Sequence, residues 1–405
     1  MDFSITPEQK DLQKRCRALA AEFAATALEH DRDGSRPTGN YDRLRKEGFL
    51  ELTVPKELGG AGSGFLGHTI AYEALGHGCP STALSFNMHA SVVMPLLSSE
   101  EVPVEAKCYI ADLVIRQKKL LSGNYSEATS TGIIGERWLD TVIRRVEGGW
   151  EINGRKMFAS MIEDADYCLV LARPDTATAP TAGAFALIPR EVAGRSLIKN
   201  WNVMGMRATR SDSLVLDGCR LDESAVVFQS DDIRPFRQAT AVWGWGSYTA
   251  VYLGVAGAAY EELLRVVKER QPPGYAQPLA YHPDVRRHVA QMSAELEAAR
   301  LIMYRAAWLY DTEGPTAEAN AALYRAKYMV GEAVASITRT ALTLSGAHGV
   351  FKGNRLELLF RDGALGPLHT PPSDFCLWIM ALHELGIDAA DVLPPMKPLP
   401  PQARP

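Results

Sequence analysis

The chain has 405 residues, 46% of them apolar and 22% charged, with a net charge of −5 at neutral pH. That length exceeds one ordinary core and predicts two or three domains. The acidic balance gives no footprint for nucleic acid, and no apolar run approaches the ~20 residues that cross a bilayer.

The opening residues, Met1 to Glu8, have neither a basic start nor an apolar signal core, so the chain reads as cytoplasmic. Six scattered cysteines include no CxxC pair; reduced thiols are expected, and no metal site. Residues 5–120 read as helical. Thr6-Pro7-Glu8-Gln9 is a helix start, with a capping Thr, Pro at the first helical position and an acid in the first turn. Leu12, Cys16, Leu19, Ala20 and Phe23 then recur at helical spacing. Tyr41 to Phe49 forms a short helix, and Pro55 to Gly64 is a glycine-rich loop without the Lys-Ser/Thr ending of a phosphate loop. His68 to Gly76 and Ser81 to Leu97 are further helices. His89, among apolar residues in the second of these, is either a satisfied core histidine or a pocket residue.

From about residue 120 the pattern changes to short β runs. Trp138 to Val146 and Gly149 to Phe158 flank a glycine turn, and Tyr167 to Ala172, Ala184 to Ile188 and Ser213 to Leu216 follow. This block, 120–230, is expected to be a compact antiparallel β-barrel. Ser247 to Lys268, Pro283 to Thr312, Thr316 to Ser345 and Cys376 to Leu385 then read as long helices of an antiparallel bundle, 231–390. Small residues at Gly254, Ala256, Gly257 and Ala258 suit a closely packed neighbour. Residues 391–405 are a Pro-rich tail. The expected class is α+β: an N-terminal helical domain (1–119), a middle β domain and a C-terminal four-helix bundle.

The most informative stretch is Ser345-Gly346-Ala347-His348-Gly349, followed by Arg361-Asp362 and by Leu368-His369-Thr370-Pro371-Pro372. Glycines that interrupt a helical region mark a positive φ or a close backbone approach. Several local patterns agree with this one. Asn124-Tyr125-Ser126-Glu127 resembles the flavin loop of the acyl-CoA dehydrogenase family. Lys156-Met157-Phe158-Ala159-Ser160 and Met204-Gly205-Met206-Arg207-Ala208-Thr209 are similar to its next two motifs. Lys268-Glu269-Arg270 with Pro278-Leu279, and the glycine turn with Arg361-Asp362, resemble its last two. The resemblance spans nearly the whole chain.

It implies FAD held between the β domain and the bundle. Tyr125, Ser126, Phe158, Ala159, Ser160 and Thr209 would meet the isoalloxazine, which needs polar donors at its edge and apolar faces. Arg207 is either a further flavin neighbour or an ordinary ion-pair residue. Arg270, Gly346, Ala347 and Gly349 would meet the ADP half, an arginine fork and free backbone N–H groups suiting a pyrophosphate. In the family that half lies at a subunit boundary, which implies a homodimer or homotetramer. Trp243, Trp245 and Tyr248 are candidates for the acyl pocket or for bundle core.

The resemblance also exposes departures. Gln271 to Tyr275 is longer than the family pattern, and His282 replaces a common Gln. Ala128-Thr129 replaces the Pro-Gly usual after Glu127, and Gly132 stands about where a Ser that contacts the CoA phosphate region is usual. The family's catalytic Glu stands eight residues after the Asp of Arg-Asp, and that position here is Thr370. An alternative seat, near Ser247, also lacks an acid. Three functions stay open. One is oxidation of an acyl thioester, on CoA or a carrier protein, with His369, His89 or Asp374 as displaced base and an electron-transfer partner. The second is a two-component monooxygenase, fed by a flavin reductase and working through a C4a-hydroperoxide with His369, Ser160 and His89. The third is a non-catalytic acyl binder. FMN in place of FAD stays open as an alternative.

Overall fold

The computed structural model describes residues 5–128 and 138–388. Thr6 caps α1 (Pro7–Asp33) reciprocally, its hydroxyl accepting from the Gln9 amide and the Gln9 side chain accepting from the Thr6 amide. Gly34 ends the helix at φ +56°. α2 (Thr38–Lys46), α3 (Phe65–Gly78), α4 (Pro80–Ser98) and α5 (Val104–Ile115) follow. Most of α3 and nearly all of α4 are buried, in keeping with sequences that carry one acidic residue, Glu73, and no charged residue, respectively. α3 lies along α7 (Ser247–Glu269), and glycine is obligatory at their contact. A Cβ on Gly254 would lie 2.2 Å from the Glu73 carbonyl, and one on Gly76 2.6 Å from that of Val251. The small residues of α7 thus serve a helix from the N-terminal region.

The β block comprises β1 (Leu121–Asn124), β2 (Val142–Val146), β3 (Gly149–Lys156), β4 (Tyr167–Pro174), β5 (Gly183–Pro189), β6 (Arg195–Ile198), β7 (Ser213–Leu221) and β8 (Val226–Ser230). The strand path is β6-β7-β3-β2-β4-β5-β8, with β1 beside β4. The expected antiparallel β domain is present, with two differences of detail and an open path. The pairing is mostly antiparallel, but β1 and β2 each run parallel to β4, and among the described residues the path is open, not a closed barrel. Residues 138–141 are loop, because the Asp140 and Thr141 amides donate to the Glu127 carboxylate at 2.7 and 3.0 Å and not to a neighbouring strand.

α6 (Arg234–Ala241) runs into α7 through one π-helical turn at Val242–Gly246. α8 (Pro283–Glu313), α9 (Ala317–Ser345), α10 (Arg355–Gly363) and α11 (Ser373–Leu385) complete the helical part. The expected tail 391–405 and Gly132 lie outside the described residues. Among the described residues no helix is long and apolar enough to cross a membrane.

The Arg361-Asp362 pair ties three regions together. Arg361, largely buried, donates to both Asp31 oxygens on α1 (2.9 and 2.5 Å), to Glu357 on its own helix (2.6 and 2.9 Å) and to the Met204 carbonyl (2.8 Å). Asp362 accepts the Met206 amide at 2.6 Å. Arg207 is part of the same junction, its Nε on the Asp31 carbonyl at 2.8 Å; its ordinary structural role is the one realised. Burial lifts the Asp362 carboxyl to about 7, against the Met206 amide, which favours ionisation. Such a group is protonated in the fold and ionised in the unfolded chain between about pH 4 and 7. Its linkage therefore makes stability fall as pH rises through that window. Asp362→Asn keeps an acceptor for Met206 and removes the charge. In urea titrations the variant should gain on the wild type by about 2–4 kcal/mol more at pH 8 than at pH 4; an equal difference at both pH values would contradict the assignment.

Candidate active site

A cavity of about 360 Å³ lies where the β block meets α4, the π turn, α7 and the loop after α10. Its β-side wall contains Tyr125, Ser126, Met157, Phe158, Ser160 and Thr209, so five of the expected isoalloxazine residues come together, joined by Trp201, Met206 and Ser211. Two wall residues have left-handed backbone, Phe158 at φ +55° and Met206 at φ +52°. For residues with side chains this is strained and persists only where neighbours fix it. Met206 is fixed by Asp362. Phe158 has its carbonyl engaged by the Ser160 amide at 2.9 Å, and its exposed ring meets Trp201 edge-on, with centroids 6.0 Å apart.

Ser160 and Thr209 hydroxyls converge on Ser211 at 2.7 and 2.8 Å, giving a short row of polar groups on an otherwise apolar wall. Ala159 is corrected as a contact: it is fully buried, its amide is taken by the Asp212 carbonyl at 3.0 Å, and it does not line the cavity. Behind the wall, Lys156 and Glu127 form a buried ion pair of 2.6 Å that joins the strand before Phe158 to the segment after Ser126.

The bundle-side wall contains Trp245, Tyr248, Tyr252, Leu365, Leu368, His369 and Thr370. His369 stacks on Tyr248 at 4.0 Å with planes 5° apart, and its Nδ1 shares a hydrogen bond of 3.0 Å with Tyr252 Oη. Burial, aided by the Lys327 ammonium, depresses the imidazole to about 3, so the ring is neutral near pH 7. Burial raises both phenols, which remain protonated. Among the described residues no carboxylate lines this cavity. Asp374 is exposed in the first turn of α11, away from the wall.

Two further candidates are corrected. His89 is buried behind the site with both ring nitrogens engaged, Nε2 by the Leu50 carbonyl at 3.0 Å and Nδ1 by the Leu121 amide at 3.1 Å. It pins α4 to β1 and does not reach the cavity. Trp243 packs into a cluster with Phe65, His68 and Tyr310, on the other side of the helix from Trp245. Arg270 and the glycine turn meet each other away from the cavity: the guanidinium donates to the Ser345 carbonyl, and Gly346, at φ +69°, lies against it. A Cβ on Gly349 would sit 1.9 Å from the Ser345 hydroxyl, so that side chain would have to turn away to admit one.

The residues fit a flavin. Phe158, Trp201 and the methionines offer apolar faces, the hydroxyl row offers polar edge contacts, and the buried Tyr125 hydroxyl has no hydrogen-bond partner among the described residues. Fold and cavity together define a flavoprotein oxidoreductase. Residues 6–100, 128–219 and 240–366 match, in that order, the N-terminal, middle and C-terminal domains of acyl-CoA dehydrogenase. The putative acyl-CoA dehydrogenase YdbM of Bacillus subtilis (strain 168) is 30% identical over 388 residues, covering 96% of this chain and 98% of its own. A glutaryl-coenzyme A dehydrogenase in complex with glutaryl-CoA shares the fold with a TM-score of 0.85 at 23% identity, covering 96% of this chain and 98% of that one. FMN-bound TdsC from Paenibacillus sp. A11-2 does so with a TM-score of 0.84 at 22% identity, covering 93% and 97%. The chain belongs to the acyl-CoA dehydrogenase family.

Proposed function

We propose that the protein oxidises an acyl thioester, with His369 as the displaced proton acceptor. The observation that supports this reading is the placement of His369, which shares one cavity with the flavin-wall residues. Tyr125, Ser126, Ser160 and Thr209 would hold FAD at its ring system. The bound flavin supplies a two-electron acceptor for hydride. The chain's own task is to remove a weakly acidic α-proton in a dry pocket. In the tautomer whose Nδ1 proton is donated to Tyr252 Oη, the imidazole keeps a lone pair on Nε2, for which no hydrogen bond is present among the described residues. Stacking on Tyr248 fixes the ring plane. The resulting imidazolium would be opposed by Lys327 and favoured by the negative charge developing on the substrate. Trp245 and Tyr248 would bound the acyl group, whether carried by CoA or a carrier protein. Arg270 with Gly346, Ala347 and Gly349 would complete the cofactor site of a neighbouring subunit in a homodimer or homotetramer, since they do not line this chain's own cavity.

The carboxylate-free wall favours a second reading, a monooxygenase fed with reduced flavin by a reductase. There a neutral His369 and Ser160 would act as hydrogen-bonding groups toward dioxygen chemistry, and FMN would serve as well as FAD. Anaerobic mixing with a panel of acyl thioesters separates the two. Loss of flavin absorbance near 450 nm is expected for at least one thioester. No bleaching with any, together with an oxygenated product from reductase, NADH and dioxygen, would overturn the first reading in favour of the second.

A further inference from the structure

Lys327, on α9, is only 1% exposed, yet among the described residues its Nζ meets a backbone carbonyl and no carboxylate, and Glu332 acts on it only from farther off. A buried ammonium without a counter-charge is costly and is retained where it acts on something nearby. Its Nζ donates to the Gly366 carbonyl at 2.9 Å, in the turn that leads from the C-terminal end of α10 to His369. Carbonyls left unpaired at a helix end are a favourable place for a cation. The contact is tight on both sides. Gly331, one turn along α9, approaches the same carbonyl so closely that a Cβ there would lie 3.2 Å from it, and a Cβ on Gly366 would lie 2.4 Å from Val334. The same turn positions His369 through its amide, which donates to the Leu365 carbonyl at 2.8 Å.

We propose that Lys327 is a positioning residue for His369: its ammonium anchors the turn that carries the histidine and brings a positive charge to that turn. Lys327 touches neither the cavity nor His369 directly, and it works through the turn and through space. The other ionisable groups around the ring are Tyr248 and Tyr252 on α7, Asp362 on α10 and Cys376 on α11. The phenols and the thiol are raised by burial and stay protonated, and Asp362 is raised likewise. Lys327, whose ammonium burial lowers to about 8, is the one among these that carries a positive charge below that pH. The usefulness of the device to catalysis rests on the proposed role of His369, but its existence does not.

The test reads the imidazole in the resting, flavin-loaded protein. Ring-nitrogen NMR of histidine-labelled protein, with the His369 signal assigned by its loss in His369→Gln, is followed from pH 8 down to the pH at which the fold is lost. Lys327→Gln keeps a donor for Gly366 and removes the charge. Its imidazolium-to-imidazole ratio at a given pH should rise about tenfold, the equivalent of one unit. Lys327→Arg keeps the charge and should titrate as the wild type does. A folded Gln variant with an unchanged His369 signal overturns the proposal, and so does an Arg variant whose histidine protonates more readily. Since no substrate is added, either result stands whether or not a thioester bleaches the flavin.

Discussion

Lys156→Met is expected to lower stability by about 3–5 kcal/mol and to weaken flavin retention with it. Lys156 and Glu127 have side chains exposed by 0% and 1%, so neither ion can recover hydration when its partner is removed. Methionine fills the aliphatic volume of lysine, which confines the loss to the charge. Glu127 would be left buried with only the Asp140 and Thr141 amides as donors. The damage would spread to the cofactor wall, because the pair sits between Ser126 on one segment and Met157 and Phe158 on the other. The pH dependence follows from the sign of the Glu127 shift. Burial pushes its carboxyl up, but Lys156 and the two amides overcome this and hold it below its ordinary value. A carboxylate held low contributes stability that is present above its unfolded pKa and lost as pH falls through the folded one. The gap between wild type and Lys156→Met in urea titrations should therefore be full at pH 7 and shrink in acid. A loss below about 1 kcal/mol at pH 7 would show the pair to be replaceable by packing, as some buried ion pairs are.

Much of this arrangement is legible in the sequence, and the gaps have physical causes. The change from helical spacing to alternation near residue 120 and back near 230 follows from periods of 3.6 and 2, which need no tertiary knowledge. The role of His89 is different. Its partners are the Leu50 carbonyl and the Leu121 amide, distant in sequence, and a buried histidine with two backbone partners looks the same in sequence as one facing a ligand. The π turn at Val242–Gly246 leaves no compositional mark, because one extra residue per turn scarcely disturbs an apolar run. Other misses had a readable signal. Trp243 and Trp245 are two residues apart, about 200° around a helix, so one helix could not present both to one cavity. Tyr252 lies one turn beyond Tyr248, at the spacing that places two side chains on one face, and it is the partner of His369.

His369→Ala should reduce the rate of flavin bleaching by an acyl thioester by about 10²–10⁴-fold while leaving the flavin bound. The two effects separate because the groups assigned to the flavin, Tyr125, Ser126, Phe158, Ser160 and Thr209, stand on the β side of the cavity and His369 on the bundle side. His369→Gln retains a polar group near Tyr252 but no basic nitrogen, so it should be nearly as impaired as the alanine variant. Tyr252→Phe removes the partner of Nδ1 and leaves the stacking on Tyr248 intact; a smaller loss, about tenfold, is expected because the ring stays in plane but no longer has its tautomer set. A proton acceptor requires the two His369 variants to be similarly slow, and both well below Tyr252→Phe. A histidine that only shaped the wall would give a different order, with His369→Gln close to wild type. Full activity in His369→Ala would remove it from the site, and Thr370 would be the one remaining polar side chain at the end of that loop.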